Sequence, residues 1–436
     1  MSTTPETPAP LGEEAGPALT DEELTTAAPD VLANSLSEYV KAWVQRIKNG
    51  ESGALPVIVG LIAIVIFFQA ERSQFLTAGN VVNLLVQATI FVMFGAAEIF
   101  VLLLSEIDLS LGYGAGVGAF VIAEMIAPPV SLPWWLGILC GLAAMAVLGF
   151  VQGSLIARLG LPSFIVTLGG YLGFLGLMQE IGSADSTAVG GTIQIDQSNP
   201  VYKLVNSTMS TGLAWIALIV CIAAFGSYTI WRDRTRRAKG LAVPPLGVTL
   251  IGVGIAAVGG LALVLVCNTN RGNLTPLRGM PWVIPFVLIV LTAYTWFMAR
   301  TRTGRYVYAV GNNPEAARRA GIKVKWIVTF GFVMASITAG FAGLIYESNQ
   351  GSMSIDINGG QYVLFAVAAA VIGGTSLFGG RGKIMNALLG GIVIAAVFNG
   401  LGLMGVSAAV QDMVTAIVLI AAVSLDAVVR RRATTR

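Results

Sequence analysis

The chain has 436 residues, of which 55% are hydrophobic and only 11% charged, with a mean hydropathy of +0.78. Soluble domains carry about 25% charged residues, so the composition excludes a string of soluble domains and describes a chain whose solvent is largely lipid. A net charge of +3 gives no basis for nucleic-acid binding. Histidine is absent, and Cys140, Cys221 and Cys267 are too scattered for a disulfide framework or a metal site, so neither metal nor cofactor is expected.

Residues 1–50 are expected to be a cytoplasmic tail. Met1 to Ser35 is rich in Pro, Thr, Ala and acids, has no Lys or Arg, and reads as disordered. It lacks the basic start and apolar core of a signal peptide. Ser37 to Lys48 (SEYVKAWVQRIK) is short, amphipathic and basic. It reads either as a helix lying on the membrane face or as a lead-in to the first span.

Residues 51–430 form the expected transmembrane domain, and 431–436 a basic cytoplasmic tail. A spanning helix needs roughly 20 mostly apolar residues. About twelve such segments are predicted, at 53–70, 80–104, 110–127, 133–157, 162–180, 212–231, 244–267, 281–300, 326–346, 361–378, 384–404 and 408–429. Several are rich in Gly, which favours one or two broken or re-entrant segments. The predicted fold is all-α and polytopic.

Lys and Arg favour cytoplasmic loops. With the N-terminus inside and strict alternation, every basic residue except Arg72, Lys203, Arg271 and Arg278 falls on the cytoplasmic side. Both termini are then cytoplasmic, as are the Arg232 to Lys239 cluster and the 300–325 loop. The stretches Gly182 to Thr211 and Asn268 to Pro281 fall outside. They read as solvated connectors or as the surface met by an extracytoplasmic partner.

Acidic residues inside spans are rare. Glu98 lies within the second span and Glu124 near the outer end of the third. A charge at the bilayer centre costs roughly 2.5–3.5 kcal/mol on insertion scales, so Glu98 is expected to face protein or water. It reads either as part of a substrate path or as a structural carboxylate. Glu106-Ile107-Asp108-Leu109-Ser110-Leu111-Gly112 joins the second and third spans. Asp108 or Ser110 is suited to accept from the free N–H groups that open the third span, and the same segment can serve as a gate.

Two glycine-rich stretches mimic nucleotide motifs. Gly112, Gly114, Gly116 and Gly118 open an apolar span with no strand before them, and read as a helix-packing face. Gly373-Gly374-Thr375-Ser376-Leu377-Phe378-Gly379-Gly380-Arg381-Gly382-Lys383 fails the phosphate-loop pattern. Leu377 stands where that pattern needs its first Gly, and Ile384 follows the Lys. The chain itself is therefore not expected to bind ATP.

The 301–325 loop carries a compact helix signal. Asn313 suits the N-cap, Pro314 the first helical position and Glu315 the positive helix end. Ala316 and Ala317 are small, Arg318 and Arg319 lie near the negative end, and Gly321 suits the left-handed stop. A helix of about two turns is marginal alone in water. It reads as a solvated surface helix or as one seated against another protein.

The order Glu-Ala-Ala, three residues, Gly resembles the cytoplasmic loop of ABC-importer permeases. Glu106 to Gly112, Leu161 to Gly169, Ile372 to Gly382 and Phe398-Asn399-Gly400-Leu401 resemble the ribose/xylose branch of sugar permeases. The likeness runs in order over about residues 75–430. It implies a bacterial cell-membrane permease, paired as a homodimer. It would work with a cytoplasmic ABC ATPase subunit and an extracytoplasmic sugar-binding protein, and would not itself be an enzyme. The helix from Asn313 to Gly321 would be the coupling helix. Glu98, Asp108, Ser110, Glu124 and Asn399 are the candidates for the substrate path or its gate. The branch has a ten-span core. The extra hairpin near 212–267 resembles the longer xylose form, which turns the substrate toward a pentose such as xylose. A permease for a branched-chain amino acid or inositol is the alternative, and a secondary carrier a more distant one.

Overall fold

Long apolar runs become helices because, away from water, each backbone N–H and C=O must be satisfied within its own segment. The computed structural model describes residues 55–184, 190–239, 243, 245–272, 276–417 and 420. The expected tails at 1–50, with the Ser37 to Lys48 segment, and at 431–436 lie outside these residues. In chain order the helices are α1 (Leu55–Glu71), α2 (Ala78–Leu102), α3 (Leu111–Ile126), α4 (Trp134–Leu159), α5 (Ser163–Ala184), α6 (Pro200–Asn206), α7 (Thr211–Ala238) and α8 (Leu246–Asn268). They continue with α9 (Val283–Arg300), α10 (Arg302–Asn312), α11 (Pro314–Arg319), α12 (Val324–Gln350), α13 (Gly359–Ile372), α14 (Asn386–Met404) and α15 (Ala408–Ile417).

Among the described residues, eight helices are long and apolar enough to cross a membrane, and α1, α3, α13 and α15 are shorter apolar helices. The protein is an all-α, polytopic membrane protein, and each expected span has its helix. Three boundaries differ. The helix of α7 continues to Ala238, so the cluster expected as a basic loop is mostly the last turns of a helix. Arg side chains are good helix formers, and nothing in that cluster breaks the helix. At the second boundary α13 stops at Ile372, because Gly373 and Gly374 follow. At the third, most of the expected 418–429 stretch lies outside the described residues. The expected connector Gly182 to Thr211 is also structured. It holds β1 (Thr192–Gln194), which pairs antiparallel with β2 (Ser352–Ser354), and it holds α6, capped by the Asn199 side chain.

The chain divides into two compact units. In the smaller one, residues 220–239, 243 and 245–259 are described. There Asp233 accepts from Thr249 Oγ1 at 2.7 Å and pairs with Arg232 at 2.8 Å, which ties the basic end of α7 to the start of α8. The larger unit contains the helical core.

That core is an inverted repeat. The end of α2 meets the start of α12, with Leu104 against Gly331, so the two helices run in opposite directions. Each ends in a turn that doubles back into a short apolar helix. Ile107-Asp108-Leu109-Ser110-Leu111-Gly112 leads into α3, and Ile355-Asp356-Ile357-Asn358-Gly359-Gly360 leads into α13. The two N-termini lie side by side: a Cβ at Gly112 would run into the Gly359 carbonyl. Almost all of α3 is buried, and α13 packs on α2 through Phe94 with Tyr362 and Phe91 with Phe365. The glycines expected as a packing face do face close neighbours, with Met145 at Gly118 and Met178 at Gly116.

Candidate functional site

Two constellations of candidate residues emerge in the larger unit. The first is a buried polar cluster at the α2–α3 turn. Asp108 and Ser110 are almost completely buried. Asp108 Oδ1 accepts from the Ser110 amide at 2.9 Å and from its hydroxyl at 2.6 Å. Gln152 on α4 then donates to Ser110 Oγ at 2.9 Å. Of the two candidate acceptors at the opening of the third span, Asp108 accepts from the Ser110 N–H, and the side chain of Ser110, at the N-cap, makes no cap bond. Ser110 has helix-like φ and ψ, which turns its hydroxyl toward Asp108 and Gln152 instead. Burial pushes the Asp108 carboxyl up to about 6, against the Ser110 hydrogen bonds, which pull it down.

Glu98 stands one turn before the end of α2, fully buried, as its position in an apolar span requires. Its carboxyl lies beside Asp108, with the Asp108 backbone N–H as its nearby donor, although neither oxygen meets full hydrogen-bonding geometry. Asp108 Oδ2 also lacks a hydrogen-bond partner. A buried acceptor of this kind costs free energy until a donor or a proton satisfies it. Two adjacent helix N-termini bring positive partial charge beside the same cluster. The arrangement can hold a shared proton, or accept from the hydroxyls of a polar solute.

The other candidates fall elsewhere. Glu124 is half-buried near the far end of α3. Asn399 on α14 is buried and accepts from Asn80 Nδ2 at 2.8 Å, fastening α14 to the start of α2. The sequence-based candidates do not include Gln152 or Glu347. Glu347 lies in the last turn of α12, fully buried, with both carboxyl oxygens without a hydrogen-bond partner. It lies near the end of the second repeat's long helix as Glu98 does in the first, one residue out of the register set by Asp108 and Asp356. The repeated I-D-(L/I)-(S/N)-x-G pattern is the sequence signal that leads to it.

The second constellation is the α10–α11 segment. The Asn313 side chain accepts from the Ala316 amide at 2.9 Å, Pro314 takes the first position, and Gly321 has φ +82°. Glu315 pairs with Arg318 at 2.9 Å and Arg319 at 3.6 Å, and all three are exposed. Ala317 is buried, so α11 rests on the protein by one small residue and presents its charged face outward. An additional helix precedes it. In α10, capped by Thr301, Val307 and Val310 turn inward, and the helix lies against α9 and α12.

A family model described as "Branched-chain amino acid transport system / permease component" matches residues 80–423. The chain is 34% identical over 381 residues to the xylose transport system permease protein of Escherichia coli strain K12, covering 86% of this chain and 92% of that protein. It is 28% identical over 413 residues to the fructose import permease protein of Rhizobium meliloti, covering 94% of each. It is 27% identical over 389 residues to the ribose import permease protein of Escherichia coli strain K12, covering 89% of this chain and 95% of that protein. No solved structure matches.

Proposed function

Because the chain belongs to the family of branched-chain amino acid transport system permease components, we propose that it is the membrane subunit of an ABC importer for a monosaccharide. ATP is hydrolysed on a separate subunit. Sugar names on the relatives favour a sugar over the amino acid in the family description, and the 34% identity to the xylose permease favours a pentose such as xylose. An amino acid or inositol is the rival substrate.

The observation that carries the reading is the α10–α11 segment. A helix as short as α11 gains little from its own backbone, yet its ends are capped and its charged face points outward. That suits a helix docked on an ATPase. In this reading α10–α11 and both termini are cytoplasmic, and the permease works as a homodimer in the cell membrane with an extracytoplasmic sugar-binding protein. The expected domain limits, 51–430 with short tails, belong to the same proposal. The Glu98–Asp108–Ser110 cluster serves as a gate beside the path, with Asn399 and Glu124 as outlying candidates. A secondary carrier would have no use for such a docking helix.

The test is reconstitution with the partner ATPase and binding protein. Gly321→Val strains the left-handed stop, and Glu315→Lys places three cations on one short helix. Both are expected to abolish xylose-stimulated ATPase activity, while insertion and dimer assembly survive. Full stimulation in both variants would reject the coupling role. Stimulation by another solute and not by xylose would keep the importer and change the substrate.

A further inference from the structure

The loop Gly373 to Lys383, which resembles a phosphate loop and is not one, has no role in the reading above. It is rigidly held. The Gly380 amide donates to Leu103 O at 3.0 Å, and Tyr308 Oη, on α10, donates to Gly382 O at 2.9 Å. Ser105 lies within bonding reach of two carbonyls, Phe378 O at 2.9 Å and Gly311 O at 3.2 Å. Ser105 has φ +64°, a left-handed conformation that non-glycine residues adopt rarely. A strained residue persists where its surroundings hold it, and such residues cluster at switches and clamps. Gly379, with φ +81°, lets the loop press against Ser105, since a Cβ there would collide with Ser105 Oγ and come within 2.9 Å of Gly311 O.

The lock presents one side chain outward. Phe378 is 76% exposed, and among the described residues no large apolar side chain is more so. Its amide donates to Ser376 Oγ at 3.1 Å and its carbonyl accepts from the Ser105 hydroxyl. Arg381 and Lys383 beside it are exposed, as suits a water-facing loop. Its carbonyl and that of Gly311 answer to the same hydroxyl, and Gly311 lies two residues before the Asn313 cap of α11. The loop therefore continues the surface that α10–α11 offers.

We propose that Phe378 is the apolar anchor of a second docking point for the ATPase subunit, with Ser105 as the residue that positions it against the coupling segment. This rests on the ABC reading above. Buried aromatic anchors dominate protein interfaces, and an anchor whose loop is already ordered loses less freedom on binding. The buried α2–α3 turn starts at the same Leu103 to Ser105 stretch, so movement of the ATPase would reach Asp108 through a short covalent path.

The experiment uses the full chain in nanodiscs with its co-purified ATPase. Phe378→Ser is expected to weaken ATPase capture at least tenfold, and Phe378→Leu about threefold or less. Ser105→Gly keeps the left-handed turn and removes both hydroxyl bonds. It is expected to weaken capture severalfold with Phe378 intact and the melting temperature unchanged. An environment-sensitive dye on Phe378→Cys, in a background without native cysteines, is expected to report water until ATPase is added. Capture within twofold of the native chain for Phe378→Ser would overturn the proposal, as would a dye already buried without ATPase, which would put the ring in the membrane. A native chain that captures no ATPase at all would instead sink the importer reading itself.

Discussion

Gly112→Ala tests the close approach of the N-termini of α3 and α13. The added methyl would lie 2.6 Å from the Gly359 carbonyl carbon, and nearer still to its oxygen. Carbon contacts are comfortable at about 3.5–4.0 Å, so α13 must withdraw by about 1 Å. The neighbour is backbone at the start of a buried helix, so no rotamer change relieves the clash. Overpacking in a close-packed interior costs about 1–3 kcal/mol, and the upper half of that range applies where backbone must move. Gly173→Ala on α5 is the control. A Cβ there meets nothing within 4 Å, and Ala gains about 0.5–1 kcal/mol over Gly within a helix. Thermal unfolding in nanodiscs, followed by retention on size exclusion, is expected to show Gly112→Ala melting well below the native chain and Gly173→Ala at or above it. Equal melting of the two variants would refute the close approach of the N-termini.

Glu98→Gln is expected to alter uptake while insertion remains nearly intact, and Glu98→Leu to abolish uptake; native uptake by Glu98→Leu would reduce Glu98 to a packing residue. Asn399→Val removes the acceptor for Asn80 and is expected to cost about 1 kcal/mol, read as lowered melting, whereas an unchanged melt would mean that the Asn80 bond to Phe75 O suffices. Thr235→Cys, in a background without native cysteines, is expected to resist an impermeant thiol reagent applied from outside, and outside labelling would invert the topology.

Much of this protein is legible in one dimension. A span is a local property: about 20 apolar residues must bond their own backbone in lipid, so each of the twelve segments was predictable without its neighbours. The short helix α11 is local too, since Asn313, Pro314 and Gly321 cap, start and stop it through their own backbone chemistry. The basic end of α7 is helical where the sequence suggests a loop, because charge alone does not say whether a helix ends. What only tertiary structure decides is which distant residues meet. The I-D-(L/I)-(S/N)-x-G pattern is present twice in the sequence, yet nothing local makes Gly112 the neighbour of Gly359. Gln152 reaches Ser110 only because α4 packs beside the turn. Phe378 acquires a meaning only because Ser105 holds its carbonyl beside Gly311. Apolar periodicity constrains each helix to lipid or core, but the long-range hydrogen bonds and close glycine contacts depend on pairings of residues distant in sequence, such as 42 apart for Ser110 with Gln152 and 273 for Ser105 with Phe378, and those exist only once the chain is folded.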